Sequence, residues 1–170
     1  MSQVTDYLRQ RGIDFELLSH PPTHSAREEA RALGLSPLEV LKVLVLDFSE
    51  GHALAIIPSH RRLDLARART LLGDRHTHLA SEQEMARDLP EFELGAVPAL
   101  PNLTHLPILI DPEVFRHTRV TFSAGVQHES VRLDPHRAFE GGKVTVAMIA
   151  QSFDHGDDDR DGVTARPSTA

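Results

Sequence analysis

A single lysine interrupts the most apolar stretch of the chain, Val40-Leu41-Lys42-Val43-Leu44-Val45-Leu46. A run this rich in aliphatic residues, bounded by the turn residues Ser49-Glu50-Gly51, reads as a buried strand over 41–48. Residues 52–57 return as a second apolar run, so the two form an antiparallel hairpin. The hairpin commits the chain to a sheet with a covered face. The ammonium of Lys42 then needs either an anionic partner or a route to water, because a buried unpaired charge is costly. Two readings follow. Lys42 snorkels from a strand end to solvent, or it sits at the mouth of a cleft that receives an anion.

Turn and cap signals mark the remaining elements. Residues 4–11 read as a short helix stopped by Gly12, and 15–18 as an extended segment. Ser25-Ala26-Arg27-Glu28 fits a capping box, in which the Ser and Glu side chains satisfy each other's backbone donors. Its helix runs to Leu33, with Gly34 in the left-handed closing position. Residues 63–72 are helical by period, 76–79 form a brief strand, and Ser81-Glu82-Gln83-Glu84 opens another capped helix that Pro90 stops. Later strands are expected over 106–110, 120–122, 130–133 and 144–149, with Asp134-Pro135 capping a short helical turn. Strands arrive in hairpin-like pairs with helices at intervals, without regular βα alternation. The expected class is α+β: a mixed, mostly antiparallel, barrel-like sheet decorated with helices.

Composition narrows the function classes. A chain of 170 residues with 40% hydrophobic content supports one cored domain, expected over 1–150. Residues 151–170 hold five aspartates against two arginines and are expected to be a disordered acidic tail. With no Cys there is no disulfide framework, zinc-thiolate site or cysteine nucleophile. No apolar stretch approaches the ~20 residues that span a bilayer, and the first residues lack a secretory pattern. A cytoplasmic protein without a membrane partner is therefore expected. The net charge of −7 argues against broad, nonspecific nucleic-acid binding. Arg61, Arg62, Arg67 and Arg69 nonetheless cluster in sequence, either as a solvated helix face or as a basic face for one nucleic-acid end. Eleven histidines are present, but no His-Glu-x-x-His motif accompanies them, so no metal is expected. Walker and dinucleotide glycine motifs are also missing, and no cofactor is expected.

Several segments, taken in order, carry a resemblance. They are His20-Pro21 ahead of a capped helix, the run from Glu39 to Leu46, Ile56-Ile57-Pro58, Arg62-Leu63-Asp64-Leu65 and Leu79-Ala80-Ser81-Glu82. Gly95-Ala96-Val97-Pro98, Leu106-Pro107-Ile108-Leu109-Ile110-Asp111 and Phe122-Ser123-Ala124-Gly125 complete the set. Over residues 4–140 the chain resembles the YbaK/EbsC family, also called the prolyl-tRNA synthetase-associated or aminoacyl-tRNA deacylase domain.

The resemblance implies a mixed α/β barrel-like domain that hydrolyses the ester of mischarged tRNA, in trans or within a synthetase. Its implied partners are the acceptor end of aminoacyl-tRNA and an aminoacyl-tRNA synthetase. Lys42, Gly95 and Ala96 would then carry the chemistry, Lys42 at the charged end and the Gly95–Ala96 backbone at the ester. His20, Val97, Pro98, Ser123, Ala124 and Gly125 would line the substrate site, and Arg61, Arg62, Arg67 and Arg69 would meet the acceptor stem. The loop departs from the family's Gly-x-x-x-Pro, since the fourth position after Gly95 is Ala99 and the proline is Pro98. Proline fixes φ near ~−65°, so the shift changes which residue is rigid. The altered loop keeps an alternative open: a degenerate member that binds an aminoacyl or tRNA end without turnover, as a regulatory module.

An aminoacyl ester is already activated, so a deacylase chiefly needs donors for the developing oxyanion and an admitted water. A glycine loop can bring backbone N–H groups close to a ligand oxygen. Lys42 can pair with the terminal nucleotide phosphate or neutralise developing charge. It can act as a base only if burial lowers its pKa. Ser123 lacks a Gly-x-Ser-x-Gly elbow and is not a convincing nucleophile. Judged without the resemblance, Gly95 reads equally well as a turn glycine, and Ser123 and Gly125 as a bulge or strand end.

Overall fold

The structure is a computed structural model and describes residues 2–152. In chain order it contains α1 (Gln3–Gln10), β1 (Phe15–Ser19), α2 (Ala26–Leu33), β2 (Leu41–Phe48), β3 (Gly51–Pro58), α3 (Leu65–Leu72), β4 (His78–Leu79) and α4 (Glu82–Asp88). After these come α5 (Pro101–Thr104), β5 (Ile108–Ile110), a 3-10 turn (Pro112–Arg116), β6 (Val120–Ser123), β7 (Glu129–Leu133), α6 (Pro135–Ala138) and β8 (Val144–Val146). The acidic tail expected from residue 151 lies, from 153 onward, outside the described residues.

The hairpin forms where the apolar runs put it, with Leu41 opposite Pro58 and Phe48 opposite Gly51. Around it a five-stranded sheet has the order β4-β2-β3-β5-β8, while β1, β7 and β6 form a separate three-stranded antiparallel sheet in the order β1-β7-β6. Strands β3, β5 and β8 run parallel and the other pairs antiparallel, so the sheet system is mixed as expected. It does not close. Among the described residues one backbone bridge links the two sheets, Val40 parallel to Thr121, where the Thr121 N–H donates to the Glu39 carbonyl at 2.9 Å. The barrel-like expectation therefore gives way to two open sheets joined at one seam.

Side-chain alternation along a strand assigns each face of the hairpin to a different core. Leu41 and Val45, with Leu54 and Ile56 of β3, pack into the larger core beside Phe122, Val131 and Leu133 of the second sheet. Leu46, with Ala53, Ala55 and Ile57, packs into a smaller core under Ala68 of α3, and Leu44 lies against it.

Local chemistry explains where elements stop. Helix α3 starts at Leu65, two residues later than the periodicity suggests. The Asp64 carboxylate caps the Arg67 N–H at 3.2 Å, while the Asp64 N–H donates to the Ile149 carbonyl at 2.7 Å. Strand β8 ends at Val146, and beyond it the buried Asp111 carboxylate takes the Ile149 and Ala150 N–H groups at 3.0 and 2.9 Å. The capping box at Ser81–Glu84 is complete. At α2 the Ser25 hydroxyl accepts from the Glu28 N–H at 3.2 Å, but the Glu28 carboxylate reaches the His24 N–H instead of closing on Ser25.

Candidate active site at the open edge of β2

Strand β4 is two residues long and pairs with β2 at Leu46 and Asp47. On the side of β2 away from β3, residues 42–44 have no strand neighbour among the described residues, and a cavity of about 350 Å³ occupies that space. Leu41, Val43, Val45, Leu79, Met85 and Val97 give it an apolar wall, and Arg27, Glu29, Lys42 and Ser123 give it polar groups. Its volume falls within the range of small-molecule pockets.

Gly95 is fixed in this wall by two constraints. Its φ is +76°, in the region L side chains rarely adopt, and a Cβ added there would lie 2.8 Å from the His24 carbonyl oxygen. The 95–97 loop can seat against the entrance to α2 because residue 95 has no side chain. The turn also orders its amides. The Ala96 N–H donates to the Glu93 carbonyl at 3.0 Å, and Ala96 is wholly buried.

Lys42 lies half-buried at the start of β2, and its ammonium donates to the Arg61 carbonyl at 2.9 Å. Partial burial, then the nearby Arg27 and Arg62 guanidinium groups, lower its pKa from the ordinary lysine value. Arg27 and Lys42 both line the cavity, and like charge on each favours an anion between them.

The cavity thus brings together Lys42, Gly95, Val97 and Ser123 of the sequence-expected site residues. The others sit elsewhere. Ala96, Pro98, Ala124 and Gly125 are buried behind the wall, with Gly125 close enough to the Phe92 ring that a Cβ would meet it at 3.2 Å. His20 does not line the cavity. Its Nε2 lies 2.7 Å from the Ser130 hydroxyl, and its Nδ1 lies 2.8 Å from the Pro21 carbonyl. The arginine cluster serves largely as internal tethers. Arg61 pairs with Glu113 at 2.9 Å, Arg67 donates to the Met148 carbonyl at 3.3 Å, and Arg69 donates to the Thr77 carbonyl at 2.9 Å. Arg62 is exposed and is the member of the cluster nearest in effect to Lys42.

Sequence reasoning missed Glu29. It is 2% exposed yet lines the cavity, with Ser123 donating to Oε2 at 3.2 Å and Ser130 donating to Oε1 at 2.5 Å. Desolvation raises its pKa above the ordinary carboxylate value, against the opposing pull of the two hydroxyls and of His20. A signal was present: Ala26, Glu29, Ala30 and Leu33 share the i, i+3, i+4, i+7 face of α2, so a carboxylate occupies an apolar position.

One trio among the described residues, Asp47, His78 and Glu84, brings possible metal-ligand atoms within 4.8 Å of one another. It is partly exposed, and Glu84 already completes the α4 capping box through the Ser81 N–H at 2.7 Å.

Residues 20–139 match the aminoacyl-tRNA editing domain family. A solved structure described as a candidate trans-editing enzyme for prolyl tRNA synthetase is 25% identical, with 88% of this chain and 95% of that one covered and a TM-score of 0.74. The hypothetical protein APE2540 is 24% identical, with 87% and 99% covered and a TM-score of 0.77. No curated protein matches the chain. The chain belongs to the aminoacyl-tRNA editing domain family, and its fold is YbaK-like. Membership assigns it to the class of aminoacyl-tRNA editing domains.

Proposed function

We propose that this chain is a trans-acting aminoacyl-tRNA deacylase whose cavity at the β2 edge receives the aminoacylated 3′ end of a mischarged tRNA. The observation that carries the reading is the convergence of Lys42, Gly95, Val97 and Ser123 on one cavity with an apolar wall. The reaction is hydrolysis of the ester between the amino acid and the terminal ribose. Lys42, with Arg27 and Arg62 around it, offers positive charge to the terminal phosphate. The Gly95–Val97 loop offers backbone N–H groups to the carbonyl oxygen as it becomes an oxyanion. Because the Ala96 amide is held by Glu93, the amides of Gly95 and Val97 are the members of this loop assigned to that role. The aliphatic wall takes an uncharged aminoacyl side chain, and discrimination between close analogues there is worth roughly 1–3 kcal/mol per methylene.

A panel of mischarged tRNAs incubated with the wild-type protein and with Lys42→Ala tests the reading. Deacylation of at least one tRNA by the wild type, weakened in the variant, supports it. The displaced Pro98 favours one other reading, a module that binds the aminoacyl end without turnover. Saturable binding with no release of amino acid from any member of the panel selects that one.

A further inference from the structure

The hydrogen-bond chain behind the cavity wall has a proton count that leaves few options. It runs from Ser123, which lines the cavity, to Glu29, then to Ser130 and on to His20 at the partly exposed end of β1. At its outer end, His20 Nδ1 faces the Pro21 carbonyl at 2.8 Å. A carbonyl oxygen can only accept, so Nδ1 carries a hydrogen. Ser130 has a single hydroxyl proton and two partners, Glu29 Oε1 and His20 Nε2. If Ser130 donates to Glu29, Nε2 must donate to Ser130, and the chain holds a carboxylate and an imidazolium. If Ser130 donates to Nε2, Glu29 must be protonated, and both ends are neutral. The two states differ by the passage of one proton along Ser130 and require no heavy atom to move.

The surroundings of Glu29 match a group that exchanges protons. No Lys or Arg forms an ion pair with it among the described residues. Strands β6 and β7 present the Ser123 and Ser130 hydroxyls. The charged groups near it are His20 from the end of β1 and, around the cavity, Arg27 of its own helix and Lys42 of β2. A carboxylate kept for structure would be expected to take backbone N–H groups or a guanidinium.

We propose that Ser123, Glu29, Ser130 and His20 form a proton relay between the cavity and the surface, in which Glu29 accepts the proton of the hydrolytic water through Ser123. This rests on the deacylase reading for its kinetic consequences. Water forms a bond from its oxygen to the ester carbonyl carbon, and its proton passes over the Ser123 hydroxyl to Glu29. Collapse of the tetrahedral adduct breaks the bond to the ribose oxygen, and the same proton returns over Ser123 to that oxygen. The free amino acid leaves with a carboxylic proton to shed, and Ser130 and His20 give that proton a way to bulk water. Glu29 is thus the base, and Ser130 and His20 are positioning residues that hold it in its proton-accepting state.

The test has two arms on the full-length protein. The first follows the Glu29 carboxyl by carbon-13 NMR across pH, using side-chain-labelled glutamate, with Glu29→Gln identifying the signal. Ser130→Ala and His20→Ala should each move its titration upward, since each removes a group that favours the carboxylate. The second arm measures single-turnover deacylation against pH for the same proteins. Glu29→Gln should lose ~100-fold or more, as expected for removal of a general base, and the acid limb of the rate profile should move upward in Ser130→Ala and His20→Ala together with the NMR titration. A Ser130 or His20 role in packing alone would lower the rate at every pH without moving the limb. An unmoved carboxyl signal overturns the chain. A moved signal with an unmoved limb, or a Glu29→Gln rate near wild type, overturns Glu29 as the base. If the wild type hydrolyses nothing in the panel the deacylase reading fails, while the NMR arm still decides whether the four groups are coupled.

Discussion

Two carboxylates are buried almost equally in this molecule, Glu29 at 2% exposure and Asp111 at 6%, and they are handled in opposite ways. Asp111 accepts three backbone N–H groups: Glu113 on Oδ1 at 3.0 Å, and Ile149 and Ala150 on Oδ2 at 3.0 and 2.9 Å. Those bonds pin the 3-10 turn after β5 to the segment after β8, so its charge is compensated by fixed dipoles and serves the fold. Glu29 accepts two serine hydroxyls, which can rotate and can exchange protons, and it stands in the wall of a cavity. Equal burial with unequal compensation separates a carboxylate that holds structure from one available for chemistry.

The largest expected effect on stability is at Asp111. Asp111→Ala orphans three backbone N–H groups in and around the core, and should lower the unfolding free energy by ~3–5 kcal/mol in urea titration. Asp111→Asn retains acceptor capacity on one atom and should fall between this and the wild type. A loss well under 1 kcal/mol in Asp111→Ala would break the comparison from the structural side.

Next comes Gly95→Ala, where the positive φ and the close His24 carbonyl combine. Strain of ~1–3 kcal/mol is expected, together with loss of tRNA deacylation, because relief requires the loop to move off the entrance to α2. Wild-type stability and activity in this variant would mean that the loop accommodates a side chain and that its close seat is unnecessary.

Glu29→Gln sharpens the contrast through its sign. A folded-state carboxyl pKa above the unfolded value means the folded chain holds its proton more tightly, so stability falls as pH rises from the ordinary carboxylate range through the raised value. Above that window the ionised carboxylate is a net cost. Glu29→Gln should therefore match or exceed the wild type near neutral pH, by up to ~1 kcal/mol, and should lose the pH dependence that Glu29 imposes. Chemical denaturation at several pH values reads both. Destabilisation at neutral pH would place Glu29 beside Asp111 as a structural group.

The smallest stability effect should be at Arg62, which is exposed and, among the described residues, makes no side-chain tether of the kind its neighbours make. Arg62→Ala should change stability by under ~0.5 kcal/mol, yet reduce the salt dependence of tRNA binding by about one phosphate contact. Arg61→Ala breaks the Glu113 pair and should do the reverse, perturbing the fold more than the binding.

The hairpin, the capped helices and the mixed sheet were legible in the sequence because each depends on local pattern: apolar runs, turn residues and Ser/Glu spacing. How far the barrel-like sheet closes was not, since closure depends on which strand edges meet, and here Val40 and Thr121 make a bridge between two open sheets. Lys42, Gly95, Val97 and Ser123 were singled out through their order along the chain, and these four line one cavity. The bond of the Ala96 amide to the Glu93 carbonyl was not legible, because an amide's hydrogen-bond commitment has no side-chain signature. Glu29 was hidden differently. Next to Glu28, which caps the helix entrance, it looks like an ordinary first-turn acid favoured by the helix dipole. Its partners lie 94 and 101 residues away, on strands whose packing against α2 no local pattern announces.

The most direct measurement takes one preparation of Glu29→Gln and determines both its single-turnover rate on a tRNA the wild type deacylates and its unfolding free energy at neutral pH. The account predicts a rate lower by ~100-fold or more with stability undiminished. A variant that hydrolyses like the wild type, or that loses activity only in step with its stability, contradicts it.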